Sequence, residues 1–585
     1  MEEPRIGVFV CWCGTNIAKT VDVDAVVKAV EKIPNVVVAK NYKYMCSDPG
    51  QELIVNDIKE HDLNRIVVAA CSPRIHELTF RKALVNAGLN PYLFEMANIR
   101  EQVSWVHSDK EVATAKARSL VTGAVRKVSL HEPLEKRMVE ITPATLVVGG
   151  GIAGLSAALE IADSGKQVYL VERQDKLGGH LNDIDLTFPH FSSAQGIIGP
   201  MITRAGNHPN IDVFLNTDMG EVKGYVGNFE MTLNGKGNEI NLEFGNIIVA
   251  TGLKPFDPTT IEEYGYGKLP NVITSKEMEL MLKSGKIELQ NEKAPRDIMV
   301  IHCVGSRNKD YHEYCSRTCC MTALKYANQL RSALPDAHIY EAYADMRAFG
   351  KGCEELYART SRRDVLFMMY DQRDSLPRIR KAPAGESTDM LVEIDEVLSG
   401  ETIEVEADLV VLMTGMEAHN TAKEIAHAVG VSMDGNGFYI EKHPKLDPVA
   451  TTTDGVFIAG SCQAPKDIPD AVSQAKAAAA RVLESIAKGS VEVEVTTAMV
   501  NEEICCGCQT CISVCPYSAI SFDEEKNVSV VNEILCKGCG TCGSACPTGA
   551  IKARHFTDQQ ILSQIEGLMS QFKPDSEITI TTEEA

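Results

Sequence analysis

Two runs near the end of the chain, CCGCQTCISVCP from Cys505 and CKGCGTCGSACP from Cys536, place sulfur at a repeated interval. Cys505, Cys508, Cys511 and Cys515, then Cys536, Cys539, Cys542 and Cys546, each follow C-x2-C-x2-C-x3-C with a proline next. Thiolates so spaced hold four-iron clusters, the first three of a run on one cubane and the fourth crossing to the other. Cys546 is therefore expected to complete the set of Cys505, Cys508 and Cys511, and Cys515 that of Cys536, Cys539 and Cys542. A pair of zinc knuckles is the competing reading, but zinc needs neither the doubled run nor the prolines. Cys506 stands outside the pattern and reads as a spare thiol.

A second sulfur-rich stretch, YCSRTCCMTALK (314–325), follows Cys303 in IHCVGSR. If 314–327 is helical, Cys315 and Cys319 lie one turn apart on one face, with Cys320 beside them. Cys303, from a strand end, would then bring four thiols to one point. A redox-active dithiol is the alternative, but such reductases use C-x2-C or C-x4-C, and the spacing here is C-x11-C-x3-C-C. A third set comprises Cys11, Cys13, Cys46 and Cys71. Cys46 and Cys71 follow strand-like segments and precede proline turns, so loops at one sheet edge can gather all four. Scattered buried thiols fit that spacing equally well.

The element that must position this sulfur is announced by TLVVGGGIAGLSAALEIADSGKQVYLVERQDKLGG, from Thr145. An apolar strand enters Gly149-x-Gly151-x-x-Gly154, a helix follows, and a second strand ends at Glu172. The glycines allow a tight turn, approach of the backbone to a pyrophosphate and close helix packing, while Glu172 can bind ribose hydroxyls. Gly178-Gly179 form a further turn. NIIVATGLKP (246–255), with Gly252, and TTTDGVFIAGSC (451–462), with Gly460, resemble the returning strands of two-dinucleotide flavoproteins of the thioredoxin reductase type, which makes the expected ligand FAD. Such proteins usually carry an acid after the second AG; Ser461-Cys462 stand there instead. Flavin contacts are accordingly expected from PKDIPD (465–470), at Asp467 and Ile468 before a helix N-terminus. Where a second phosphate loop belongs, DIMVIHCVGSRN keeps one glycine, Gly305, so a pyridine nucleotide site is not expected.

The totals agree with a redox protein of several domains. The 585 residues suffice for roughly three to five cores. With 58 Lys plus Arg against 80 Asp plus Glu, the net charge of −22 argues against nucleic acid and anionic membranes as partners. No long apolar run suggests a transmembrane segment, and MEEPRIGVFV does not resemble a signal peptide, so a cytoplasmic location is expected. Cytosolic thiols stay reduced, and 19 cysteines there point to metal ligation or redox chemistry and not to disulfides.

CWCGTNI, YKYMCSDPGQ, VAACSPRIHELTF, NIREQVSWVH, VVGGGIAGL, VGSR, CSRTCC, DMRAFGKGCEE, PKDIPD and the doubled tail together resemble the A subunit of heterodisulfide reductase, over almost the whole chain. The resemblance implies an FAD-containing, electron-bifurcating iron–sulfur oxidoreductase component. It implies four [4Fe-4S] clusters: one on Cys11, Cys13, Cys46 and Cys71, one on Cys303, Cys315, Cys319 and Cys320 close to the flavin, and two in the tail. It also assigns Lys325 a catalytic place near flavin N5. The implied partners are B- and C-like subunits, a hydrogenase, formate dehydrogenase or similar electron-input component, ferredoxin, and a second copy within a larger complex. A non-bifurcating scaffold wiring a dehydrogenase or hydrogenase to a redox partner is the rival; an NAD(P)H-dependent disulfide reductase is a weaker third. Two departures stand out: NGKGNEINLEFGNIIVATG runs without cysteine where the methanogen form carries an inserted ferredoxin domain, and LTFPHFSSAQGIIGPM has serine and alanine where cysteine is frequent.

The expected architecture is α/β: a two-dinucleotide-binding, thioredoxin reductase-like core with an N-terminal α/β cluster domain and a C-terminal α+β two-cluster ferredoxin domain. The expected divisions are 1–135 for the N-terminal iron–sulfur domain, 140–270 and 401–492 for the two parts of the FAD domain, 271–400 for a degenerate second nucleotide domain, 493–560 for the ferredoxin domain and 561–585 for an acidic tail. Cys353, Cys462 and Cys506 receive no role.

Overall fold

A computed structural model describes residues 3–235, 238–373, 375–383, 388–493 and 495–570. The chain forms two units, Met1–Arg137 with Glu492–Ala585, and Met138–Val491. In the first, β1 (Ile6–Cys11), α1 (Val23–Val30), β2 (Val36–Tyr42), α2 (Asp48–His61), β3 (Arg65–Ala70), α3 (Pro73–Ala87), β4 (Phe94–Asn98) and α4 (Lys110–Val128) alternate. The strands are parallel in the order β2-β1-β3-β4. β1 and β3 are buried at every residue, as expected of strands covered by helices on both faces. The chain leaves β1 in one direction and returns to its other side at β3. Loops therefore diverge at the C-terminal edge between β1 and β3, where open α/β sheets bind ligands.

The same unit holds two short antiparallel ladders, Ala498–Val500 with Ile551–Ala553 and Ile520–Asp523 with Val528–Val531. They frame the doubled cysteine run. Helix Asp558–Met569 follows and lies against α4, so closely that a Cβ on Gly567 would stand 2.7 Å from Gly123 Cα. The expected acidic tail from 561 is thus corrected: its first nine residues complete a packed helix, and 571–585 lie outside the described residues.

The second unit has two five-stranded parallel sheets. One orders Ile211–Phe214, Gln167–Val171, Ala144–Val148, Asn246–Val249 and Val456–Ile458; helices Ile152–Asp163 and Ile468–Lys488 cover it through Ala157, Ile161, Ala475, Ala479 and Val482. The other orders Val272–Thr274, Leu409–Thr414, Asp297–Val304, His338–Tyr343 and Val365–Met369. Strands Arg378–Lys381, Met390–Glu396 and Glu401–Ala407 form an antiparallel annex. The expected boundary at 400 does not survive. Residues 401–407 belong to the annex and 409–414 to the second sheet, and the return crossing is the antiparallel pair Leu253–Pro255 with Met416–Ala418. Where a domain insertion was expected absent, Asn228–Gly235 and Asn238–Phe244 pair as neighbouring strands, with Gly235 opposite Asn238; residues 236 and 237 lie outside the described residues.

Candidate active site

A cleft of about 790 Å³ opens at the C-terminal ends of the first sheet of the second unit. Gly149, Gly151, Glu172, Gly178, Gly179, Gly252, Gly460, Asp467 and Ile468 all line it. Gly149 has φ +106°, and a Cβ there would meet Ala250 O at 2.4 Å; on Gly154 it would lie 1.8 Å from Gly149 O. Gly151 and Gly252 have no atom within 4 Å of a hypothetical Cβ, which leaves their backbone open toward the cleft. Glu172 is held rigidly, one oxygen accepting from Gly150 N at 2.7 Å and the other from Gln174 N at 2.8 Å. Asp467 caps helix Ile468–Lys488, accepting from Asp470 N at 2.9 Å, so its carboxylate first serves the helix. A tight glycine turn, a helix N-terminus and an acid at the second strand end fit a dinucleotide's pyrophosphate and ribose. Where the usual acid is replaced, Ser461 lines the cleft, while Cys462 turns into the core with its Sγ near Val249 O and Ala459 O. Cys353 is likewise a core thiol, packed with Met321, Leu324 and Leu356.

The second sheet brings sulfur to this cleft. Its middle strand loses register between Ile301 and Val304, and Cys303 within that break has φ +57°. Such a bulge re-aims one side chain. The expectation of a helix across 314–327 needs correction, because Arg317 at φ +63° breaks the backbone and the helix runs Cys319–Ala333. Cys315 therefore comes from a loop, and helical spacing is not what gathers the set. The thiols nevertheless interact. Burial pushes Cys303 up to about 12, Cys320 and Cys315 adding to the shift, and Cys319 is driven up by burial and then by Cys303, Cys320 and Cys315. Cys303, Cys319 and Cys320 are buried and Cys315 is half-buried, and thiolates so placed would need a compensating cation. Arg317 N donates to Cys315 Sγ at 3.3 Å, and Cys319 itself lines the cleft.

Gly305, the remnant of a second phosphate loop, has φ +79°, and a Cβ there would stand 2.3 Å from the Phe256 ring. The aromatic ring packs directly against this glycine.

Lys325 is 2 % exposed and lines the cleft. Its ammonium donates to both oxygens of Glu279, at 2.8 and 2.7 Å, and to Leu186 O at 2.8 Å. Burial pulls its pKa down while the Glu279 charge opposes that shift. Glu279 carries no signal in the sequence: SKEMELMLKS reads as an ordinary amphipathic helix. Beneath the thiols, fully buried His302 meets Glu341 at 3.0 Å, another pair with no sequence signal.

In the first unit, Cys11, Cys13, Cys46 and Cys71 occupy the ends of β1 and β3 and the loop after β2. Cys11 Sγ accepts from Cys13 N at 3.2 Å and Met45 N at 3.4 Å. Cys11 is pushed up by burial and also feels Cys13 and Cys46, and burial raises Cys71 to about 11, with Cys13 and Cys11 contributing. Arg100, from the NIREQVSWVH stretch, donates to Cys13 Sγ at 3.4 Å, a contact that nothing in its local sequence signals.

In the doubled run, the third cysteines, Cys511 and Cys542, are buried on short helices Thr510–Ser513 and Thr541–Ala545. Cys515 lines the same small cavity as Cys536, Cys539 and Cys542. Ala498 N donates to Cys536 Sγ at 3.3 Å and Ala519 N to Cys515 Sγ at 3.4 Å. Cys505 and Cys546 are half-buried, while Cys506 and Cys508 are exposed. Backbone N–H groups aimed at sulfur recur at all three regions, a donor set suited to reduced iron–sulfur clusters.

Residues 143–301 match the pyridine nucleotide-disulphide oxidoreductase family and residues 495–552 the 4Fe-4S dicluster domain. The chain is 43 % identical to an iron–sulfur A subunit of CoB–CoM heterodisulfide reductase from Methanopyrus kandleri, over 97 % of this chain and 99 % of that protein. It is 41 % identical to the A subunit of an H2:CoB-CoM heterodisulfide,ferredoxin reductase from Methanothermobacter thermautotrophicus, over 98 % of each. That alignment runs to 660 positions, more than this chain's 585 residues, so the relative carries sequence this chain lacks. Among the described residues no helix is long and apolar enough to cross a membrane. An oxidoreductase using FAD and iron–sulfur clusters for electron transfer, the chain belongs to the family of heterodisulfide reductase A subunits.

Proposed function

We propose that this chain is the flavin subunit of a heterodisulfide reductase-like complex and divides electron pairs between two one-electron routes. FAD, when bound, supplies exchange between two-electron and one-electron transfer, and the clusters supply one-electron relay. The observation that carries this reading is that Cys319 and Lys325 line the same cleft as the dinucleotide glycines. Gly149, Gly151 and Gly154 with Glu172 would hold the adenosine half, Gly178, Gly179 and Gly252 the adjoining walls, and Gly460, Asp467 and Ile468 the flavin end. Lys325, fixed by Glu279, stands as the charge facing the flavin.

Four [4Fe-4S] clusters complete the proposal, on Cys11, Cys13, Cys46 and Cys71; on Cys303, Cys315, Cys319 and Cys320; on Cys505, Cys508, Cys511 and Cys546; and on Cys515, Cys536, Cys539 and Cys542. The names of relatives couple H2 or formate to a heterodisulfide and ferredoxin. For this chain they support a multisubunit complex with a hydrogenase or formate dehydrogenase as electron input and ferredoxin as low-potential acceptor; B- and C-like subunits on the high-potential side and a second copy of the chain complete the proposed assembly.

The native complex, purified anaerobically, tests this reading. About sixteen irons and one FAD per chain, with ferredoxin reduced only while a high-potential acceptor is also consumed, are expected. Ferredoxin reduction indifferent to that acceptor would instead make the chain a non-bifurcating relay.

A further inference from the structure

The N-terminal thiols carry a feature that the proposed relay does not use. Arg100 begins a single π-helical turn, Arg100–Ser104, directly beyond β4 at the sheet edge that bears the cysteines. Its Nη1 donates to Cys13 Sγ at 3.4 Å, while Nε and Nη2 both reach Glu101 Oε1, at 3.2 and 2.7 Å. The side chain is 16 % exposed, and its guanidinium lies 4.9 Å from the ring of exposed Trp105. Glu101 is tied in turn, its N donating to Asn98 Oδ1 at 3.0 Å. A guanidinium has five donors in a fixed fork, so one pair of edges can hold a carboxylate while another addresses sulfur.

We infer that Arg100 sets the reduction potential of the N-terminal cluster, holding it above the value that the four thiolates and Glu101 would give without it. This rests on the reading of Cys11, Cys13, Cys46 and Cys71 as ligands. Reduction adds one electron to the cluster, with no bond broken and no proton required, and makes the sulfur shell more negative. A hydrogen-bonding cation against that shell stabilises the reduced form more than the oxidised one. Glu101 acts in the opposite sense. The Arg100–Glu101 pair is thus a local balance, and Arg100, touching the ligand shell but no substrate, is a positioning residue. The physical consequence is that this cluster takes up an electron more readily than its buried thiol set alone would allow.

Anaerobic redox titration of the full chain with dithionite and mediators, followed by electron paramagnetic resonance, tests the inference. Arg100→Gln is expected to lower one cluster's midpoint by about 59 mV, a tenfold change in a one-electron equilibrium, and to leave the others in place. Arg100→Lys keeps the charge and should fall between the two. Glu101→Gln should raise the same midpoint, an opposite sign that a merely structural role for this loop would not produce. Unmoved midpoints in Arg100→Gln and Glu101→Gln, with iron content intact, overturn the inference. Should Arg100→Gln shed its cluster, Glu101→Gln decides alone: a raised midpoint supports the balance and an unchanged one refutes it. A native chain with only about twelve irons and no fourth signal would instead remove the cluster itself, and the inference with it.

Discussion

The two parallel sheets of the flavin unit share a plan and differ at one loop. In the first, the strand ending at Val148 turns through Gly149 and a helix starts at Ile152. In the second, the strand ends at Val304 and no α-helix begins until Cys319. The first loop keeps bare backbone around Gly151, as an anion needs. The second fills the corresponding turn with Phe256 and spends the extra residues on Cys315 and on the turn at Arg317 that delivers Cys319 and Cys320. A sheet edge therefore supplies a place, and on the proposed reading the loop sets whether it suits a phosphate or an iron–sulfur cluster.

The largest effects should be reciprocal losses at the two loops. Gly154→Val forces a side chain into Gly149 O, 1.8 Å from its own Cβ, and should abolish FAD retention while sparing the cysteine-bound iron of the other unit. Cys319→Ala should do the converse, losing about four of about sixteen irons and keeping FAD, because a methyl group cannot replace a thiolate. Flavin absorbance and iron content of each purified variant measure this. If both variants lose both cofactors, the two loops are one structural entity and the contrast between them fails.

Legibility in the sequence followed the same division. The doubled cysteine run and the Gly149–Gly154 turn are readable because each motif is local, with spacing set by one short backbone path, even where the fourth cysteine of a run is expected to serve the other run. Cys303 with Cys315, Cys319 and Cys320 is readable as a group but not as a geometry. The bulge at Cys303 and the left-handed Arg317 are set by tertiary packing, and helical periodicity suggested the wrong backbone. Glu279 and the role of Arg100 were invisible for another reason: each meets its target, Lys325 or Cys13, across 46 or 87 residues, and NIREQVSWVH marks a resemblance without assigning Arg100 a contact. Domain limits failed where a strand changes sheet, as at 401–414, since composition does not alter there.

Next in size is the test of the filled second loop. NADH and NADPH should leave the flavin of the isolated chain oxidised, because the second loop keeps only Gly305 of a phosphate fingerprint and packs it against the Phe256 ring. Rapid-mixing absorbance records the outcome, and prompt bleaching of the flavin band by either nucleotide would restore the second sheet as a nucleotide site.

The buried ion pair separates stability from chemistry. Glu279→Leu leaves the Lys325 ammonium in a cleft wall without its counter-charge, which should cost about 3–5 kcal/mol. Lys325→Met with Glu279→Leu removes both charges and should recover most of that loss. Denaturant-induced FAD release reads the difference. Equal destabilisation in the single and double variants would mean that side-chain packing, and not charge, dominates at this position.

The smallest expected effect decides what Lys325 does for the flavin. In Lys325→Met the remaining carboxylate of Glu279 faces the cleft without its cation, so electron-rich reduced flavin is disfavoured and its potential should fall. A tenfold change in a one-electron equilibrium corresponds to about 59 mV, and in a two-electron couple to about 30 mV. Lys325→Met with Glu279→Gln restores a net charge of zero at this wall, as in the native pair. If only net charge matters, spectroelectrochemical titration should return the double variant to the native potential. If the ammonium itself contacts the flavin, the double variant should remain low. Native potentials in both variants would remove Lys325 from the redox chemistry and leave it, with Glu279, as a structural ion pair in the cleft wall.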